Sequence, residues 1–202
     1  MINMHPINIV YIDDRIDPLL SRYLDEYCSF SDNTALLYAE VPFNSKDTYE
    51  SLLRNETVRT ANVLLIDSRL FEEANIGSGM FSGEEFRVIL NKLLPYIEVV
   101  VISQNDLDIK WSVVEKCKGA RDYNHVKQYY DENLRPILNN KCSIVDETWK
   151  IIERLQTDKS IDVALVEKIQ RIANGETEYD ELKASDIDRI VQTFQELIAK
   201  DN

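Results

Sequence analysis

The stretch that most limits what this chain can fold into is Val63-Leu64-Leu65-Ile66-Asp67, four apolar residues followed by a carboxylate. A continuous apolar run reads as a strand buried on both faces, as in a parallel sheet, rather than as a half-solvated strand with alternating character. Such a strand delivers its acid to its C-terminal end. The run Ile9-Val10-Tyr11-Ile12-Asp13-Asp14 repeats the pattern with two acids, and Val99-Val100-Val101-Ile102-Ser103 ends on a hydroxyl. In open α/β sheets, ligands gather beyond the carboxyl ends of the strands. Three strand ends are thus expected to converge on one site. Close-set carboxylates repel unless something neutralises them, and a hard divalent cation with oxygen ligands is the usual solution.

Chain length and charge narrow the setting. The 202 residues allow one large domain, or one standard domain with an appendage. A net charge of -13 argues against a general binder of nucleic acid or of membrane surfaces. Cys28, Cys117 and Cys142 are scattered and form no C-x-x-C pair. They read as reduced thiols rather than a disulfide frame or a zinc site. The N-terminal stretch is too short and polar for a signal peptide, and no apolar run reaches the length of a membrane span. The expectation is a cytoplasmic protein.

Along the chain, Asp17-Pro18 marks a helix start, with Asp as cap and Pro at the first helical position. Leu19, Leu20, Tyr23, Leu24 and Tyr27 follow at helical spacing. A second strand is predicted over 36–41, stopped by Pro42, and a helix over 47–59. The segment 68–81 is a long loop containing Gly77-Ser78-Gly79. Ser82-Gly83-Glu84-Glu85 then opens a helix as a capping box. A fourth helix is predicted over 106–118, with Gly119 as its stop, and a polar fifth strand over 120–126. From Tyr129 onward the chain reads as helical, broken at Pro136, around Lys159-Ser160 and at Gly175. Apolar stripes run through Ile144 to Leu155, through Val166 to Ile172, and from Ile187 to Ile198.

Taken in order, these pieces resemble the receiver domain of two-component response regulators. An acid pair follows strand one, a single acid strand three, and Ser strand four. Gly83-Glu84-Glu85-Phe86 is similar to the G-x-E-L that opens the family's third helix, and Gly119-Ala120-Arg121-Asp122-Tyr123 is similar to its G-A-x-D-Y. The resemblance covers roughly residues 7 to 130. It implies an α/β fold: a doubly wound, five-stranded parallel sheet of receiver or flavodoxin-like type, in order 2-1-3-4-5, with a helical C-terminal appendage. The domain reading is 1–135 for the receiver and 136–202 for the extension, with a receiver core that folds without it.

The resemblance also implies roles. Asp67 would accept a phosphoryl group from a histidine kinase or phosphotransfer protein. Asp13, Asp14, Asp67 and the Arg69 backbone carbonyl would hold Mg2+, with Asp14 the more direct ligand. Ser103 would donate to a phosphoryl oxygen, and Tyr123 would be the switch aromatic. The family's lysine has Lys127 as its nearest candidate, one residue later than a count from Gly119-Ala120, with Val126 at the expected place. Residues 151–202 carry more acids than bases. They point to a downstream protein partner or a homodimer through the C-terminal helices, with no nucleic acid and no membrane. Two alternatives are a pseudo-receiver scaffold that is not switched by phosphate, and a Mg2+-dependent phosphohydrolase. Against the latter, the haloacid-dehalogenase-like pattern needs a second Asp two residues after the first, and Arg15 stands there.

Overall fold

The fold is described from a computed structural model over residues 5–30, 35–71, 82–104, 113–119, 122–157 and 162–176. Five parallel strands form one sheet: β1 (Ile7–Asp13), β2 (Leu36–Pro42), β3 (Val63–Asp67), β4 (Glu98–Ser103) and β5 (Val113–Glu115), in the order β2-β1-β3-β4-β5. This is the doubly wound receiver or flavodoxin-like order, whose ligand crevice lies at the β1/β3 switch point. Register brings the functional ends level. Ile12 pairs with Ile66, Asp67 with Ile102, and Ser103 with Glu115.

Alternation along the strands sorts side chains to two faces. Ile7, Ile9 and Tyr11 of β1 join one core with Val63, Leu65, Val100 and Ile102. Val10 and Ile12 join the other, with Leu64, Ile66, Val99 and Val101. The second core is covered by α2 (Tyr49–Arg54), α3 (Glu56–Arg59) and α4 (Gly83–Leu93). The helix expected over 47–59 is thus two helices. Asn55 breaks it, with extended φ/ψ of -67/123, and its side-chain oxygen accepts the Val58 N–H at 3.2 Å to start α3.

The first core is covered by α1 (Pro18–Ser29), α5 (Tyr123–Asn133) and α6 (Arg135–Thr157). Asp17 caps α1 by accepting the Leu19 and Leu20 N–H groups, as its place before Pro18 predicts. α5 and α6 are nearly one helix. The Leu134 N–H donates to the Tyr130 carbonyl and the Leu138 N–H to that of Leu134, so the hydrogen-bond ladder crosses the junction. Pro136, which lacks a donor, explains the break. Leu138, Val145, Trp149 and Ile152 of α6 pack into the same core as the strands. The boundary expected at 135/136 falls within the first turn of α6, whose buried residues complete the sheet's cover. α7 (Val163–Ala173) follows, with Val166 buried. The stripe from Ile187 to Ile198 lies outside the described residues.

Two expected elements are corrected. Residues 113–115, placed in a helix over 106–118, form β5; residues 105–112 lie outside the described residues. The strand expected over 120–126 is instead the start of α5. Asp122 is its N-cap, accepting the His125 N–H at 2.9 Å, and Ala120 and Arg121 are not described.

Candidate functional site

The strand ends bring the expected acids together. Oxygen atoms of Asp13, Asp14 and Asp67 all lie within 4.8 Å of one another. Asp13 and Asp67 are only 1% and 5% exposed, whereas Asp14 faces solvent. With Arg15, Arg69, Gln104 and Lys116 they line one open pocket. The loop after β3 turns on Asp67 itself: the Arg69 N–H donates to Asp67 Oδ2 at 2.8 Å.

Gly83 explains how helix α4 fits here. A Cβ at this position would stand 2.4 Å from the Asp67 carbonyl oxygen and 2.9 Å from Ser68 Cα. Only a glycine lets the helix start approach the strand end so closely, and its N–H donates to the Ser68 carbonyl at 2.8 Å. The capping box forms alongside. Ser82 Oγ accepts the Glu85 N–H, and Glu85 accepts the Ser82 N–H at 2.8 Å. The helix-start reading and the motif reading of this stretch hold together.

A buried cation, Lys116, directly follows β5 and meets Asp13 and Asp67. Its Nζ lies 2.7 Å from Asp13 Oδ2 and 2.6 Å from Asp67 Oδ1, in a side chain that is almost fully buried. Burial opposes its charge, but the bonds to Asp13 and Asp67 outweigh burial and hold its pKa above the ordinary lysine value. The same balance holds Asp13 below the usual carboxylate range. Burial pushes it up, and Lys116, the Tyr11 hydroxyl and the Arg15 N–H together push it further down. Ser103 is buried at the end of β4, where the Ser68 hydroxyl donates to its oxygen at 3.0 Å.

Lys116 is the residue the sequence reading missed, and Lys127 is corrected. Lys127 lies on α5, with its Nζ 3.4 Å from Glu26 of α1. Counting from Gly119-Ala120 placed the fifth strand one element too late. The available signal was Val113-Val114-Glu115-Lys116, a short β-branched run ending in a charge, like the other strand ends. Tyr123 is likewise not a strand residue. It opens α5 half-buried, with the Arg22 guanidinium 3.7 Å over its ring. His125 is exposed, 3.9 Å from Cys117 Sγ. His5 stacks on Trp149 with ring centroids 4.3 Å apart and reaches Glu153 at 3.3 Å, so it ties the N-terminal end to α6.

No protein-family model and no curated protein matches the chain. Solved structures do. The response regulator RcsB of Salmonella typhimurium matches at 12% identity, over 93% of this chain and 98% of that one, with a TM-score of 0.42. A two-component transcriptional regulator AraC from Clostridium phytofermentans matches at 18% identity, over 68% and 98%, with a TM-score of 0.37. RcsB from Salmonella enterica serovar Typhimurium, bound to promoter P1flhDC in the presence of the phosphomimetic BeF3-, matches at 15% identity, over 49% and 42%, with a TM-score of 0.33. The structures the chain is similar to are thus two-component response regulators.

These matches correct one expectation. Several of the RcsB structures hold DNA, so the exclusion of nucleic acid drawn from the acidic composition is withdrawn. Net charge is a sum over the whole chain, whereas a nucleic-acid contact depends on the charge of one local surface. Among the described residues no helix is long and apolar enough to cross a membrane.

Proposed function

We propose that the chain is a signalling receiver that accepts a phosphoryl group on Asp67. The observation that carries this reading is Lys116, bonded to Asp13 and Asp67 at once at the C-terminal ends of the strands. An Asp67 oxygen would attack the phosphorus of a phosphohistidine or a small phosphodonor. The P–O bond forms as the P–N bond breaks, the imidazole leaves with its electron pair, and an acyl phosphate remains. Such a transition state spreads negative charge over the phosphoryl oxygens, so positioned positive charge is the main catalytic need. Lys116 supplies that charge, and the Ser103 hydroxyl would donate to a phosphoryl oxygen. The donor set suits a hard cation: carboxylate oxygens of Asp14 and Asp67 with the Arg69 carbonyl would hold Mg2+, and Asp13 would act through water. When bound, Mg2+ offsets charge on the phosphoryl oxygens.

The test is intact-mass spectrometry after treatment with acetyl phosphate or phosphoramidate in Mg2+. A single phosphoryl adduct is expected, absent in Asp67→Asn. No adduct with any donor, while metal still binds, would leave a phosphate-independent scaffold as the function.

A further inference from the structure

Tyr11 is out of place in its layer. It lies on β1, completely buried, among Ile7, Ile9, Leu20, Leu24, Leu65 and Ile102. A buried hydroxyl must find a partner. Residues i and i+2 of a strand share a face, so the partner of Tyr11 is Asp13, whose Oδ2 accepts the phenol. That same oxygen takes Lys116 at 2.7 Å, and Asp13 Oδ1 takes the Arg15 N–H at 3.0 Å. Asp13 therefore accepts three donors from the protein. Asp14, one residue on, faces solvent.

We propose that the Tyr11 hydroxyl is a positioning group that keeps Asp13 out of the metal's coordination shell and so tunes the site for Mg2+ over Ca2+. The inference rests on the metal-binding reading above. A carboxylate has about four lone-pair sites, and three on Asp13 are already used. Its two bonds at Oδ2 also hold the carboxylate in one orientation. What remains is a site with few carboxylate ligands, which suits the small octahedral ion that keeps several waters. Ca2+ gains more from each added carboxylate, because it takes more oxygens in looser geometry. Removing the phenol proton returns an acceptor to Asp13 Oδ2 and adds a potential ligand.

The experiment is calorimetric titration of the full chain with MgCl2 and with CaCl2, using Tyr11→Phe, Tyr23→Phe and Asp14→Ala. Tyr23 is a second buried tyrosine, whose hydroxyl bonds Asp131 on α5 instead. Tyr11→Phe is expected to tighten Ca2+ about ten-fold and Mg2+ by less than about three-fold, with Tyr23→Phe like wild type. An unchanged Ca2+ to Mg2+ ratio in Tyr11→Phe, or the same shift in Tyr23→Phe, overturns the proposal. Metal binding that survives Asp14→Ala unchanged overturns the metal reading, and this inference with it. Loss in Asp14→Ala with an unchanged ratio in Tyr11→Phe sinks the Tyr11 role alone. If Tyr11→Phe does not fold, Asp13→Asn replaces it. The proposal expects that variant to keep Mg2+ affinity within about ten-fold of wild type, since Asp13 is no direct ligand. A loss as deep as that of Asp14→Ala overturns it.

Discussion

The two ends of the sheet are built differently. At the C-terminal end, three strands finish on Asp13, Asp67 and Ser103, and Lys116 directly follows a fourth; the charges are satisfied by one another. At the N-terminal end a neutral side chain, Asn62, links the strand starts. Asn62 accepts the Asn8 N–H through its side chain at 2.8 Å, and its carbonyl takes the Glu98 N–H at 2.9 Å. The second half of the chain then closes that end. Lys141 of α6 meets Glu98 at 2.6 Å, Trp149 carries His5, and Arg59 Nη2 donates to the Gly175 carbonyl at 3.3 Å. Gly175 has φ +73, and a Cβ there would stand 2.2 Å from the Arg59 carbonyl oxygen. Among the described residues, one end is closed by helices, and the other opens on the acid pocket. The added helices α6 and α7 are docked where they leave the acid pocket accessible.

The strongest way to break this contrast is to cut the chain after residue 135. The sequence alone suggested a core that folds without the rest, but Leu138, Val145, Trp149 and Ile152 belong to that core. At about 1.5–3 kcal/mol per fully buried side chain, their loss rivals the entire 5–15 kcal/mol stability typical of a domain. The truncated chain is expected to lose cooperative urea unfolding. A sharp transition near that of the full chain would restore the modular picture.

Lys116→Met attacks the open end. Removing one partner of a buried ion cluster costs roughly 3–5 kcal/mol, because the charges left behind are uncompensated. Denaturant melts should show that loss, and adding Mg2+ should recover more of it than in wild type. The pH dependence has a defined sign. Asp13 is depressed in the folded state, so its contribution is full above the ordinary carboxylate value of about 4 and is lost as pH falls through the depressed one. Lys116 is raised, so its contribution is present below the ordinary lysine value and is lost as pH rises through the elevated one. In Lys116→Met the alkaline loss should vanish, and the acid loss should begin at higher pH.

Gly83→Ala is expected to cost about 1–3 kcal/mol, as overpacking against a backbone does, and to slow adduct formation at Asp67. A variant that is destabilised yet modified at the wild-type rate would separate the helix start from the acid's placement. The smallest effect is expected from Tyr96→Phe, which removes the hydroxyl's 3.2 Å bond to the Arg59 carbonyl at the closed end. About 0.5–1.5 kcal/mol should be lost, with metal affinity unchanged. A change in metal affinity would mean that the two ends are coupled.

Strands with long apolar runs were legible because burial on both faces leaves a sequence with no alternative. The caps were legible for a similar reason: Asp17-Pro18 and Ser82 with Glu85 are local chemistry that needs no tertiary partner. The fifth strand was not. It is three residues long and half-buried at a sheet edge, and Val113, Val114 and Cys117 fit a helical stripe equally well. Lys116 was lost with it, since its role depends on which element it ends. Tyr11 reads as bulk inside an apolar run, and only its i, i+2 relation to Asp13 hinted at a polar task. The stripe on α6 announced that something is buried, but amphipathicity does not name the surface it covers.

The nearly unbroken run of α5 and α6 has a mechanical consequence. The Tyr130 hydroxyl on α5 accepts the Cys117 N–H at 3.2 Å, one residue after the lysine of the acid pocket. From there the 23 residues of α6, about 35 Å at the helical rise, lead toward the opposite rim of the sheet. A helix of that length acts as a stiff rod. The Cys117 segment and α6 are thereby held to one helical run, and the missing donor at Pro136 is its weakest point.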